Sequence, residues 1–451
     1  MTPAARGDRQ EPRGSWFVPV PLDRRPPLAG APGDDRGGRL TPPPASAAMG
    51  RGAAGQGTGT AAMDPPTSAD PLARARGLAE AIAAAAAEIE ATRRIPGPLV
   101  EALHASRLLR LLLPRSVGGE EVHPAAYLLA LEELARHDAS IAWNVFVANS
   151  AALIAAYLGP AEAAAIFADP RAVVAWGPPN ATVAEAVPGG YRVTGRFDFA
   201  SGCRMASWMG VHCRVREPDG SFRTNHLGRP AVRTLLFPAD RAELLDTWDT
   251  IGLRGTASDS YAVADLFVPE AFATTREDPT LRREPGPLYA FTMQGLYAVG
   301  VAGVALGIAR AMLDAFVALA GGGKTPRGLA PLAEDPLVQA EVARAEAGIS
   351  SARAWLREML EEIHAAAPPD APIGVEARAR VRLGSANAIQ AAIAVSQAMY
   401  RAAGVDAIFP GGPFERRFRD MHTLSQQIQS RSAHFAAAGQ VLLGRAPAGF
   451  L

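Results

Sequence analysis

Residues 190–202 read Gly190-Tyr191-Arg192-Val193-Thr194-Gly195-Arg196-Phe197-Asp198-Phe199-Ala200-Ser201-Gly202. The segment follows a turn signal, Pro188-Gly189, and reads as the returning arm of a hairpin, then a strand ending in a small hydroxyl residue. Similar short β-rich runs lie on both sides, at 173–176, 182–187, 208–215, 232–237 and 261–268, with turn residues between them. So many short strands within 172–269 predict a β-domain, a barrel or a sandwich.

Outward from this core the period is helical. Before it, the spacing predicts helices over 78–89, 98–109, 124–137 and 140–158, the last opened by Asp138 as N-cap. After Pro287 it predicts helices over 288–320, 336–366, 375–403 and 419–443, lengths suited to an antiparallel bundle. The fold class is therefore α+β and multidomain: an N-terminal helical domain (69–170), a middle β-barrel or sandwich domain (171–280) and a C-terminal four-helix bundle (281–451). Residues 1–68 are dense in Pro, Gly, Ala and Arg without periodicity. They read as a disordered low-complexity extension, with Met63 as the expected start of translation.

Composition narrows the function. Lys+Arg and Asp+Glu both number 45, so net charge gives no case for nucleic acid. Cys203 and Cys213 make neither a disulfide scaffold nor a zinc site, so no metal is expected and a reducing cytoplasm fits. The apolar run 296–309 is fourteen residues, too short for a membrane span, and reads as a core helix. Arg6, Asp8, Arg9, Glu11 and Arg13 interrupt the first twenty residues, which do not read as a secretory signal.

Two glycine patterns are decoys. Gly50, Gly52 and Gly55 match G-x-G-x-x-G without a preceding strand, and Gly323-Lys324-Thr325 ends a phosphate-loop pattern whose first glycine is Ala318. No nicotinamide site is therefore expected in this chain. Gly300, Gly303 and Gly307 recur at helical spacing and predict close helix packing through small residues.

Further motifs complete the pattern. Leu113-Pro-Arg-Ser-Val-Gly118-Gly119 opens the first helical domain, and Trp248-Asp-Thr-Ile-Gly252-Leu-Arg254-Gly255-Thr256 precedes a strand ending Val268-Pro269. Pro413-Phe-Glu-Arg416-Arg-Phe-Arg419-Asp420 stands near the C-terminus. In this order, over about residues 70–448, they resemble the acyl-CoA dehydrogenase superfamily. Arg196-Phe197-Asp198-Phe199, Ser201-Gly202 and Arg419-Asp420-Met421-His422 are closer to one branch, the oxygenase components of two-component flavin monooxygenases. These are of the type that hydroxylates 4-hydroxyphenylacetate and secosteroid phenols. The resemblance implies reduced FMN or FAD as cofactor, a separate flavin reductase, O2, a small aromatic, phenolic substrate, and a homotetramer. It also implies hydroxylation through a flavin C4a-hydroperoxide.

Acyl-CoA dehydrogenation needs a carboxylate to remove an α-proton. The resemblance places the dehydrogenases' glutamate either in the helix after Arg419-Asp420 or on the helix near Tyr297, yet no Asp or Glu follows Asp420, and between Pro285 and Ala333 the sole acid is Asp314. His422 stands instead where the resembling monooxygenases place a histidine, and an imidazole suits proton exchange near neutral pH. The resemblance thus implies His422 and Ser201 as catalytic. It places Trp176, Gly177, Phe199, Ser201, Gly202 and Arg419 at the flavin. Plainer readings stand beside these: Ser201 ending a strand on local backbone, His422 as an ordinary half-buried histidine, Trp176 as core filler. Arg254 reads as a turn organiser and His137 as a solvated helix end. The helix after Ser140-Ile-Ala-Trp143 lacks the second histidine of several relatives, carrying Asn149-Ser150-Ala151, which leaves the substrate class open. The alternatives are an acyl-CoA dehydrogenase with an unusual base and a non-catalytic scaffold.

Overall fold

The computed structural model of the protein describes residues 70–225, 228–275, 278, 281–448 and 451. The expected extension over 1–68, with Met63 and the first glycine pattern, lies outside the described residues. The chain begins with α1 (Pro71–Gly77), α2 (Ala79–Thr92), α3 (Gly97–Ala105), α4 (Pro124–His137), α5 (Ala139–Ala152) and α6 (Pro160–Phe167). Asp138 caps α5 as expected, its carboxylate accepting from Ser140 and Ile141 N–H at 2.8 and 3.0 Å. The short α6 went unread because its Pro-Ala-Glu-Ala-Ala-Ala-Ile-Phe sequence shows too few turns for a period.

The middle domain is one mixed sheet of eight strands: β1 (Val174–Trp176), β2 (Val183–Val187), β3 (Gly190–Phe197), β4 (Trp208–Arg216), β5 (Val232–Pro238), β6 (Glu243–Leu245), β7 (Ser260–Pro269) and β8 (Ala273–Thr274). Their order is β6-β7-β3-β2-β4-β5-β8, with β1 parallel to β4. The expected strand over 197–200 is not one. The chain leaves the sheet after Phe197 because Phe199 adopts a left-handed φ of 64°. Beta-strands β6 and β8 were not legible, being two or three residues long.

The C-terminal helices are α7 (Pro287–Ala290), α8 (Met293–Gly321), α9 (Pro336–Ala366), α10 (Val375–Ala403), α11 (Glu415–Ser425) and α12 (Ala433–Leu442). The single helix expected over 288–320 breaks where Phe291 is extended and the Thr292 hydroxyl caps Gly295 N–H at 3.0 Å. The helix expected over 419–443 starts four residues earlier and stops at Ser425. There the Gln427 side chain takes Gln429 N–H at 2.6 Å and the Ser430 hydroxyl bonds the Leu424 carbonyl at 3.1 Å. Such side chains compete with helical backbone bonding.

Helix α8 lies at the centre, packed on α4, α5, α9 and α10, so both helical domains share one core. A Cβ on Gly300 would meet Phe146 at 2.2 Å, one on Gly303 the Leu128 carbonyl at 3.0 Å, and one on Gly307 the Glu132 carbonyl at 2.2 Å. The small-residue face thus does what its spacing indicated. The length reading needs correction, since α8 spans 29 residues. By length and composition both it and Ala139–Tyr157 could cross a membrane, but 89% and 94% of their apolar windows are buried inside the protein. Lys324, in the second glycine decoy, pairs with Asp406 at 2.6 Å.

Replacing Gly307 with Ala should destabilise by about 1–3 kcal/mol, because the obstacle is backbone that cannot rotate away. Gly439→Ala, in α12 with nothing within 4 Å of the new carbon, should stabilise by about 0.5–1 kcal/mol. Urea unfolding of both variants checks the contrast, and equal effects would contradict the packing.

Candidate active site

Two of the segments singled out for the flavin lie against each other. Beta-strand β1 ends at Trp176-Gly177, and a Cβ on Gly177 would lie 2.1 Å from the Asp198 carbonyl, so only glycine lets the loop after β3 pass so close. The loop then presents Phe199, 61% exposed with its ring edge toward Trp248 at 6.2 Å, followed by Ser201-Gly202. A large apolar side chain held in a left-handed conformation and facing outward is the kind of local strain that accompanies binding sites. Trp176 packs edge-on to His212 at 5.0 Å.

The N-terminal helices reach the same loop. Trp143, on α5, donates its indole N–H to Ser201 Oγ at 3.1 Å. Behind it Phe146 and Tyr297 continue an edge-to-face aromatic series to α8, at 5.0 and 4.6 Å. Ser201 Oγ also lies 2.6 Å from Ser258 Oγ, which is 2.7 Å from Thr256 Oγ1, which donates to the Leu253 carbonyl at 2.8 Å. Ser201 therefore does not end its strand on local backbone alone.

The turn 252–256 joins all three domains. Leu253 N–H donates to Asp420 Oδ1 on α11 at 2.6 Å, and a Cβ on Gly252 would lie 2.3 Å from the Arg419 carbonyl. Gly255 N–H donates to Ser140 Oγ and its carbonyl accepts from Asn144, both on α5. Arg254 organises the turn through the Glu90 and Thr250 carbonyls at 3.2 and 2.9 Å. Arg419 is committed here too: it pairs with Glu90 at 2.8 Å, is held bidentate by Glu415, and donates to the Ile251 carbonyl. Its hydrogen bonds to the Glu415 carboxylate hold the guanidinium even more firmly protonated than usual.

His422 follows two residues after Asp420. Its ring packs on Phe418 at 4.2 Å, which stacks on Tyr400 of α10 at 3.8 Å. Its Nε2 is buried without a hydrogen-bond partner among the described residues. A buried, unpaired nitrogen is costly unless a bound molecule completes it. No hydrogen bond joins His422 to Ser201. Their link runs through the hydroxyls, Leu253 and Asp420. Asn149 stands where a second histidine was sought; it is fully buried and bonds Leu112 N–H and the Leu108 and Val145 carbonyls, so it builds the core. Asp314, the one acid in 285–333, pairs with Arg136 and Arg310, and His137 ends α4 against Glu133 at 3.3 Å.

Asp420 is fully buried. Burial, and next the charge of Asp138, push its carboxyl up to about 7. Burial raises Asp138 also, against Arg416 at 3.2 Å and two backbone N–H groups. Sequence reasoning quoted Trp143 and Thr256 but gave neither a role, and it missed Ser258. Nothing in the spacing tells that Ala257, at φ 42°, turns the 256 and 258 hydroxyls together.

A helical domain, a mixed sheet and a helical bundle joined at such a turn define the acyl-CoA-dehydrogenase-type flavoprotein fold. The family models for the acyl-CoA dehydrogenase N-terminal and C-terminal domains match residues 72–165 and 299–431. Indole-3-acetate monooxygenase of Pseudomonas putida is 32% identical over 367 residues, covering 80% of this chain and 90% of that protein. The oxygenase component of the FADH2-dependent resorcinol hydroxylase from a Rhizobium strain is 28% identical, over 84% of this chain and 95% of that one. XiaF from a Streptomyces species, solved with FADH2 and glycerol, has the same fold, with a TM-score of 0.76 and 24% identity over 84% of this chain and 97% of that one. The chain belongs to the acyl-CoA dehydrogenase superfamily, in its branch of flavin-dependent monooxygenase oxygenase components.

Because the folded carboxyl of Asp420 titrates above the ordinary 3.8, its protonated form favours the fold. That stability is fully present below about pH 4 and is lost as pH rises through 7. Asp420→Asn keeps an acceptor for Leu253 N–H, so it should flatten the decline in stability between pH 5 and 8. Urea unfolding across that range reads the slopes, and parallel slopes would contradict the assignment.

Proposed function

We propose that this protein hydroxylates a small, electron-rich aromatic substrate with O2, using reduced FMN or FAD delivered by a separate reductase. The observation that carries this reading is the buried, unpaired His422 Nε2 in a chain with no carboxylate at either position where acyl-CoA oxidation draws its base. The names of its relatives support an aromatic substrate, indole-3-acetate in one and resorcinol in another.

The residues fit a flavin. Gly177 lets the Asp198 carbonyl pass close, Gly202 turns the loop at a φ of 77°, Phe199 offers an exposed ring, and a buried nitrogen awaits a partner. Trp176, Gly177, Phe199, Ser201 and Gly202 would hold it, with Arg419 keeping α11 against the turn. When bound, reduced flavin supplies the two electrons that send one oxygen atom of O2 into the ring and the other into water. Ser201 Oγ would hydrogen-bond the flavin near N5. His422 Nε2 accepts the proton of a substrate hydroxyl or ring N–H, raising electron density at the carbon to be oxygenated. The apolar faces of α5 and α8 keep water from the reaction. Assembly as a homotetramer in the cytoplasm belongs to the same proposal. Two buried free thiols, Cys203 and Cys213, support a reducing compartment.

His422→Ala should lower product formation by about 10²–10⁴-fold, while the Kd for reduced flavin changes less than about threefold. Labelled O2 should place one labelled atom in the product. Anaerobic reduction of bound FAD by an acyl-CoA would instead establish thioester oxidation. A variant that fails to fold would assign His422 to the core.

A further inference from the structure

We propose that Ser258 and Thr256 are positioning residues that fix the direction of the hydrogen bond at Ser201, so that Ser201 meets the flavin as an acceptor and favours its reduced form. This rests on the reading that Ser201 bonds the flavin at N5. The direction follows from proton counting. A carbonyl only accepts, so the 2.8 Å contact between Thr256 Oγ1 and the Leu253 oxygen uses the single Thr256 proton. The 2.7 Å contact between Thr256 and Ser258 must then carry the Ser258 proton. That leaves only the Ser201 proton for the 2.6 Å contact between Ser201 and Ser258. From the other side the Trp143 indole N–H, a donor only, fills one lone pair of Ser201 at 3.1 Å. Thr256 and Ser258 are 1% and 4% exposed, so water has little access to reverse the series.

Ser201 is left with one open lone pair and no free proton. Reduced flavin carries a hydrogen on N5 and can donate to it, whereas oxidised flavin presents a lone pair there. Two acceptors facing each other in a buried site forfeit a hydrogen bond, a difference of roughly tenfold or more in affinity. The Leu253 carbonyl is the anchor, held in place because Leu253 N–H is taken by Asp420.

The test is anaerobic titration with FMN and with FAD, each oxidised and dithionite-reduced, followed by flavin absorbance and protein fluorescence. The wild-type protein should bind the reduced forms at least about tenfold more tightly. Ser258→Ala, which releases the Ser201 proton, should narrow that gap by about tenfold, mainly through better binding of oxidised flavin. Thr256→Val should do the same by freeing the Ser258 proton to turn toward Ser201, and Thr256→Ser should restore the wild-type ratio, which a packing role would not require. If Ser201→Ala abolishes the preference while Ser258→Ala and Thr256→Val keep it, the inference is overturned and the contact of Ser201 with flavin stands. If Ser201→Ala leaves every affinity unchanged, that contact fails and the inference with it.

Discussion

The hydrogen bonds at the backbone of Leu253 tie the molecule together. Its N–H is taken by a buried carboxylate from the C-terminal bundle, Asp420, and its carbonyl accepts from Trp248 Nε1 at 2.9 Å and from Thr256. One residue away, Gly252 lies against the backbone of Arg419; two residues away, Gly255 bonds side chains of α5. A buried peptide group must be paired, and here the partners come from different domains, so the turn forms only when all three are in place. This accounts for the left-handed conformations of Leu253 and Ala257, which nothing local would sustain.

From that constraint the site follows. The hydroxyl series begins at the Leu253 carbonyl and ends at Ser201, while Asp420 sets the first turns of α11 and with them the place of His422. The helices contribute apolar enclosure and one indole N–H, and the sheet contributes the loop that carries Phe199 and Ser201. Polar groups with chemistry to do are few and placed by backbone, as expected of a pocket that must exclude water around a reactive cofactor.

Much of the fold was legible. The helices over 124–137, 336–366 and 375–403 are found with the expected bounds, because a proline or a good helix former near the start and a 3.6-residue period are local signals. The breaks at Phe291-Thr292 and after Ser425 escaped notice because they depend on single side chains turning back on the backbone. The strand expected over 197–200 failed for a related reason: its residues suit a strand, but Asp198 is held by Ser260 Oγ at 2.6 Å and its carbonyl packs on Gly177. At the site, Ser201 and His422 were named from motif likeness, whereas Trp143 and Ser258, the neighbours that decide what Ser201 can do, carried no signal of their own.

The sequence by itself determined the order of helical, sheet and helical regions, the close-packed glycine face of α8, and the lack of a carboxylate where thioester oxidation would require one. Periodicity, residue volume and residue inventory are properties of the chain read along its length. Only the tertiary structure decided that Arg419 spends its charge on Glu90 and Glu415, that Asn149 belongs to the core, and which way the protons point between Trp143 and Leu253. Those outcomes depend on partners as far apart in sequence as Glu90 and Arg419, and the direction of the hydrogen bond at Ser201 is settled by a series in 253–258 that only the fold brings to it.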